Sequence, residues 1–183
     1  MVGKGRHPIL GVWSADPVLS TVAPIGLAAS VGTALVVDLV STASPGSRTL
    51  ADIVAEGPKL SELSPARAGI ALLVGGRVPL ESAFELLDQL GRHWPALVIR
   101  LPAATPAVAS VPVIPLFPGK LAPRALTTPG VWQPVAGGSE PPGPGPVMPT
   151  LRAGTVRRLL SGQLPTRSRW VAAWRPVWEM PWA

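Results

Sequence analysis

The sequence predicts an α/β fold: a small, mostly parallel sheet flanked by helices, then a Pro/Gly-rich linker and a short Arg/Trp-rich helical tail. Three observations predict it. Short apolar runs recur at 9–13, 33–39, 68–74 and 94–102, as expected of strands covered on both faces. Helix candidates at 21–31, 49–54 and 79–91 lie between them, so strand and helix alternate. Beyond residue 118 the composition changes, first to Pro and Gly, then to Trp interleaved with Arg. The expected divisions are an α/β domain at 1–118, a linker at 119–150 and a basic, Trp-rich segment at 151–183.

Ile9 to Trp13 is the first strand, and 14–20 is read as a loop. The helix at 21–31 is rich in small residues and is stopped by Gly32. A second strand ends on Asp38-Leu39. Pro45-Gly46 centres a turn. Thr49 is placed to cap a short helix over 49–54, which Gly57-Pro58 ends. Residues 60–63 form a connector. The strand at 68–74 closes on Gly75-Gly76-Arg77, which could be an anion-binding turn but is far more commonly a plain strand-to-helix turn. Pro79 opens the best helix, with Phe84, Leu87 and Leu90 at a spacing of three, widened by Ala83 and Leu86, and Gly91 ends it. Its acids Glu81, Glu85 and Asp88 read as a solvated face. Residues 108–117 form one more strand, which Pro112 and Pro115 confine to an edge or a strand end.

Bulk properties narrow the function. The chain has 183 residues, 47% hydrophobic, enough for one domain with a core plus a tail. Without cysteine there is no disulfide framework, zinc-thiolate site or Cys nucleophile. No apolar run reaches the roughly 18–20 residues that cross a bilayer. The basic start at 1–7 lacks the apolar core of a signal peptide. A cytoplasmic, soluble protein is expected, with association at a membrane surface left open. Arginine outnumbers lysine, and Ala, Pro, Gly and Val abound, as in a GC-rich bacterial genome. Two histidines, His7 and His93, give no metal-ligand spacing, and His93 reads as a structural hydrogen-bonding residue. Ser14 and Ser20 lack an evident His–acid pair for hydrolysis.

Residues 9–40 carry a resemblance. The helix residues Thr21-Val22-Ala23 and Leu27-Ala28, and the strand end Val36-Val37-Asp38, are similar to the opening of the MinD/ParA/CpaE group of P-loop ATPases. A Thr-Leu-x-Asp step at 49–52, the strand ending Arg100-Leu101-Pro102 and the strand at 108–117 extend the likeness over roughly 8–118. The resemblance implies a P-loop NTPase-like fold. It does not extend to the chemistry. Where the group has Lys-Gly-Gly-x-Gly-Lys-Thr-Thr, this chain has Ser14-Ala15-Asp16-Pro17-Val18-Leu19-Ser20-Thr21. A phosphate cradle needs convergent backbone N–H groups, a Lys and a hydroxyl for Mg²⁺. Asp16 brings a negative charge and Pro17 removes a donor. Each lost donor or charge costs about 1–3 kcal/mol. Val40 stands at the second acid of the Asp-x-Asp motif, and Arg100 at the acid of the Asp-x-Pro motif. Three parts of one hydrolytic machine are therefore replaced, and no cofactor is expected.

The charge is uneven. Residues 1–100 are balanced, and 101–183 hold eight Lys/Arg against Glu140 and Glu179, so the whole net +6 lies there. Residues 119–150 read as a linker in which Trp132 is a possible anchor. Residues 152–163 have helical spacing, with Val156, Leu159 and Leu160 on one face and Arg157 and Arg158 beside it. Trp170, Trp174, Trp178 and Trp182 follow at intervals of four, with Arg167, Arg169 and Arg175 interleaved. Pro176 and Pro181 divide this run, so a helix to about 174 and then a turn-rich end are expected. Three uses stand for the segment: packing on its own domain, binding a protein partner or an acidic membrane surface, or binding nucleic acid.

The expectation taken forward is a non-catalytic pseudo-ATPase, an adaptor or regulator of a bacterial positioning, pilus or secretion-type system. Its partner contact is placed on Arg157, Arg158, Arg167, Arg169, Trp170, Trp174, Arg175, Trp178 and Trp182. The alternatives are a basic nucleic-acid-associated protein and an ATPase with an unorthodox loop using Ser20, Thr21 and Asp38. A homo-oligomer is left open.

Overall fold

The computed structural model describes residues 9–41, 47–65, 67–117, 129–135, 140–165 and 167–182. The basic start with His7, the Pro45-Gly46 turn and the Gly137-Gly138-Ser139 stretch lie outside them. Among the described residues a single sheet runs β3-β2-β4-β1-β5-β6, every neighbouring pair parallel. Its strands are β1 (Ile9–Trp13), β2 (Ala34–Asp38), β3 (Ile70–Val74), β4 (Leu97–Arg100), β5 (Ser110–Leu116) and β6 (Val131–Pro134). The helices are α1 (Pro17–Ala29), α2 (Leu50–Glu56), α3 (Leu60–Leu63), α4 (Leu80–His93), α5 (Ala153–Leu160) and α6 (Arg169–Ala172), and a 3₁₀ turn follows at Arg175–Glu179.

Side chains alternate across each strand, so each apolar run feeds two cores. Leu10, Val12, Val36, Val98 and Val111 face α1 and the C-terminal segment. Leu35, Val37, Leu97 and Ile99 face α2 and α4. All five residues of β2 are buried, which explains its unbroken apolar run. Among the described residues no helix is long and apolar enough to cross a membrane.

Local chemistry sets the boundaries. Thr49 caps α2 through a reciprocal box, its Oγ1 accepting from the Asp52 amide (3.2 Å) while Asp52 Oδ2 accepts from the Thr49 amide (2.7 Å). Gly76 and Arg77 both hold positive φ, 68° and 67°, in the turn before α4. A Cβ on Gly76 would press on Thr49, so glycine is required there for space as well as conformation.

Four expectations need correcting. Helix α1 begins at Pro17 rather than 21, because Asp16 is its N-cap and Pro17 fits its first turn. Helix α4 runs past Gly91, which packs on Ile9, and ends where Trp94 is held extended before Pro95. Phe84 points outward, and Leu80 takes its place among the buried residues of that helix. Strand β5 is interior rather than at an edge. It pairs with β1 over 110–112 and with β6 over 113–116, so Pro112 stands where one ladder gives way to the other.

The stretch read as a linker contributes β6. Trp132 in that strand is fully buried, and its amide and carbonyl bond to the Pro146 carbonyl (2.9 Å) and the Met148 amide (2.8 Å). Prolines at 141, 142, 144, 146 and 149 hide this segment from a compositional reading, because chain docked beside an edge strand needs few donors of its own.

Candidate functional site

In open parallel sheets, ligands bind beyond the carboxyl ends of the strands. Here that region holds the loop between β1 and α1, the end of β2 and the end of β4. Ser14 Oγ donates to the Val113 carbonyl (2.6 Å) and accepts from the Asp16 amide (3.2 Å). Asp16 Oδ1 accepts from the Leu19 amide (2.8 Å), and its carbonyl accepts from the Ser20 amide (2.8 Å). Pro17 has no N–H. Val18 is left as the one residue of the first turn whose amide is unbonded among the described residues. The helix N-terminus, with its partial positive charge, is thus occupied by a carboxylate of the same chain.

Arg100 fills the neighbouring space. Its guanidinium lies 2.9 Å from Asp38 Oδ2 and donates to Ser41 Oγ (3.1 Å) and Ser20 Oγ (3.3 Å). Asp38 Oδ1 accepts from the amides of Val40 and Ser41, each at 2.9 Å. Both side chains of the pair are 11% exposed. Burial pushes the Asp38 carboxyl up, but the Ser41 amide and hydroxyl, the Val40 amide and Arg100 together outweigh it and hold the group below the usual carboxylate range. Ser41 is a member that sequence reasoning missed, since nothing in its neighbourhood marked it.

The hydroxyls expected for an unorthodox phosphate loop are committed elsewhere. Thr21 Oγ1 donates back to the Pro17 carbonyl (2.9 Å), and Ser20 Oγ faces Arg100. A cleft of about 610 Å³ opens beside the ion pair, walled by Pro24, Ile25, Val36, Ile70, Leu72 and Leu159. It runs along α1 rather than at its N-terminus. His93 is exposed on α4, its Nδ1 2.9 Å from the Gln89 carbonyl. Among the described residues no group of three or more His, Asp or Glu could hold a metal ion.

The C-terminal segment lies against α1. Trp170 and Trp174 meet edge to face, centroids 5.3 Å apart, over Gly26, where any Cβ would overlap the Trp170 ring. Trp170, Trp174 and Trp182 are buried. Trp170 Nε1 donates to Gln133 Oε1 (2.6 Å), and Trp182 Nε1 to the Val177 carbonyl (2.7 Å). Half-buried Trp178 donates to Ser30 Oγ (3.1 Å) and the Leu27 carbonyl (3.3 Å). Three of the four tryptophans expected at a partner contact therefore have no surface to offer while this packing holds. The arginines do. Arg157, Arg158, Arg167, Arg169 and Arg175 are all exposed, and no carboxylate lies within 4.0 Å of any of them among the described residues. Arg152, absent from the expected contact set, joins Arg167 and Arg169 around a pocket of about 540 Å³. Its only sequence signal is membership of the basic second part of the chain.

Comparison of the chain with protein-family models, with curated proteins and with solved structures finds no match.

Proposed function

We propose that this chain is a non-catalytic adaptor or regulator, built on a P-loop NTPase-like scaffold of the MinD/ParA/CpaE kind that has lost its nucleotide chemistry. The observation that carries this reading is internal neutralisation at the carboxyl ends of β1, β2 and β4. Asp16 takes the helix N-terminus, and Arg100 is consumed by Asp38 and two serines. An incoming triphosphate would meet a carboxylate and a proline at the helix N-terminus, with Arg100 already committed; Arg67, which meets no carboxylate within 4.0 Å among the described residues, lines the cleft along α1 instead. Displacing Arg100 from Asp38 would strand a buried carboxylate, at a cost of about 3–5 kcal/mol.

The working surface is then the set of exposed arginines on the C-terminal segment, which meet no carboxylate within 4.0 Å among the described residues and are backed by tryptophans packed on α1. Arginine's planar fork suits acidic protein surfaces. The context implied by the scaffold is a bacterial positioning, pilus or secretion-type system. The test keeps the tryptophans and changes only charge. Arg157, Arg158, Arg167, Arg169 and Arg175 are replaced together by Gln, and partners captured by the two chains from a cell extract are identified, purified and titrated. The expected result is at least tenfold weaker binding with an unchanged melting temperature. Equal affinity of both chains for every captured partner would overturn the assignment of the surface.

A further inference from the structure

The pocket between the start of α5 and the start of α6 has a chemistry of its own. Arg152, Arg167 and Arg169 line it, with the hydroxyl residues Thr150, Thr155 and Ser168. No carboxylate lies within 4.0 Å of the three guanidinium groups among the described residues. Three like charges around one concavity repel each other, and an anion placed between them removes that repulsion. The wall behind them is fixed. Trp170 is buried in it, tied to Gln133, whose Nε2 donates to the Pro149 carbonyl (3.1 Å). Ser168 caps α6 by accepting from the Val171 amide (3.4 Å), which sets where Arg167 and Arg169 leave the chain.

From this arrangement we propose that the pocket binds a phosphate monoester. It deepens the reading of this segment as a contact surface, and so rests on it. A tetrahedral dianion takes charge-assisted hydrogen bonds from several guanidinium forks at once and further ones from hydroxyls. A carboxylate presents two oxygens in one plane and uses fewer of these donors. The volume, about 540 Å³, exceeds what phosphate alone needs and leaves room for the carbon skeleton that carries it. The concave form favours a terminal phosphate that inserts over the continuous backbone of a nucleic acid or a flat membrane surface. The ester could be a small metabolite or a phosphorylated side chain of a protein.

The experiment titrates the full chain calorimetrically with inorganic phosphate, O-phosphoserine, a phosphoserine hexapeptide with its unphosphorylated counterpart, a short DNA duplex and vesicles of phosphatidylserine. Two variants accompany it, Arg152→Gln/Arg167→Gln/Arg169→Gln and the control Lys59→Gln/Arg92→Gln, which removes two exposed cations outside the pocket, both checked for an unchanged melting temperature. The expected result is saturable binding of phosphoserine that falls at least tenfold in the triple variant and is unchanged in the control. Tighter binding of the peptide than of free phosphoserine identifies a protein source, and equal binding a small molecule. No saturable binding below about 10 mM, or equal loss in both variants, overturns the proposal. So does binding confined to duplex nucleic acid or anionic vesicles. Phosphoserine binding without any partner capture would leave the pocket standing and remove the adaptor reading; partner capture without phosphoserine binding would do the reverse.

Discussion

At the scale of the residue, the Asp38–Arg100 pair makes the sharpest demands. Asp38→Asn removes one charge and leaves the guanidinium buried against a neutral amide, so a loss of about 3–5 kcal/mol in denaturant unfolding is expected. The pH dependence has a definite sign. The folded carboxyl titrates below its ordinary value of 3.8, so its stabilisation is complete above that pH and disappears as pH falls through the lower folded value. The intact chain should lose stability below about pH 4, and Asp38→Asn should flatten part of that acid slope. Only part is expected to go, because Asp52, held by the Thr49 amide and hydroxyl, titrates low for its own reasons. A slope identical in both chains would mean that Asp38 does not titrate as described. The tryptophans give a second residue-level contrast. Trp170 Nε1 bonds to Gln133, whereas Trp174 Nε1 is buried without a partner among the described residues. Trp170→Phe should therefore cost about 1–2 kcal/mol more than Trp174→Phe, since only the first orphans a buried amide oxygen. Equal losses in thermal or urea unfolding would contradict the hydrogen bond's role.

At the scale of the element, α1 connects the two halves of the account. Its first turn is closed by Asp16, and its far side accepts Trp170 and Trp174 because Gly26 has no side chain. Gly26→Val should force those rings off the helix and destabilise by about 3 kcal/mol or more, with the loss read in tryptophan fluorescence and unfolding together. Much of this element was legible: Pro17 and Asp16 are ordinary start signals, although the sequence reading places 14–20 in a loop and the boundary at 21. Strands β1 to β4 were legible too, because burial on both faces leaves uninterrupted apolar runs such as Leu35-Val36-Val37. Strand β6 was not. Four residues, Val131 to Pro134, carry too short a pattern to stand out among prolines, and their pairing with β5 is a tertiary fact. The ion pair was half legible. Asp38 and Arg100 both stood at positions where the motifs of the group that the sequence resembles have acids, but a separation of 62 positions hides that parallel strands β2 and β4 bring them together, with Asp38 opposite Arg100 in the register.

At the scale of the whole molecule, the C-terminal segment is part of the core rather than an appendage. Leu159, Trp170, Val171, Trp174, Val177 and Trp182 share one buried cluster with Leu27 and Ala28. Truncation at residue 150 should therefore uncover the α1 face, lower the melting temperature sharply and produce binding of a hydrophobic dye; an unchanged melting temperature would contradict the packing described. The same fact decides how the surface can be probed, since only charge substitutions leave the scaffold whole. Basic charge and structural tryptophans lie on one segment because helices α5 and α6 bury one side and expose the other. What the C-terminal segment presents outward is mainly cationic, and what the ends of β2 and β4 hold inward is neutralised. The central claim is that this inward neutralisation replaces nucleotide binding, and calorimetric titration of the intact chain with Mg-ATP tests it most directly. No saturable heat is expected up to about 1 mM ATP, and binding at micromolar concentration would contradict it.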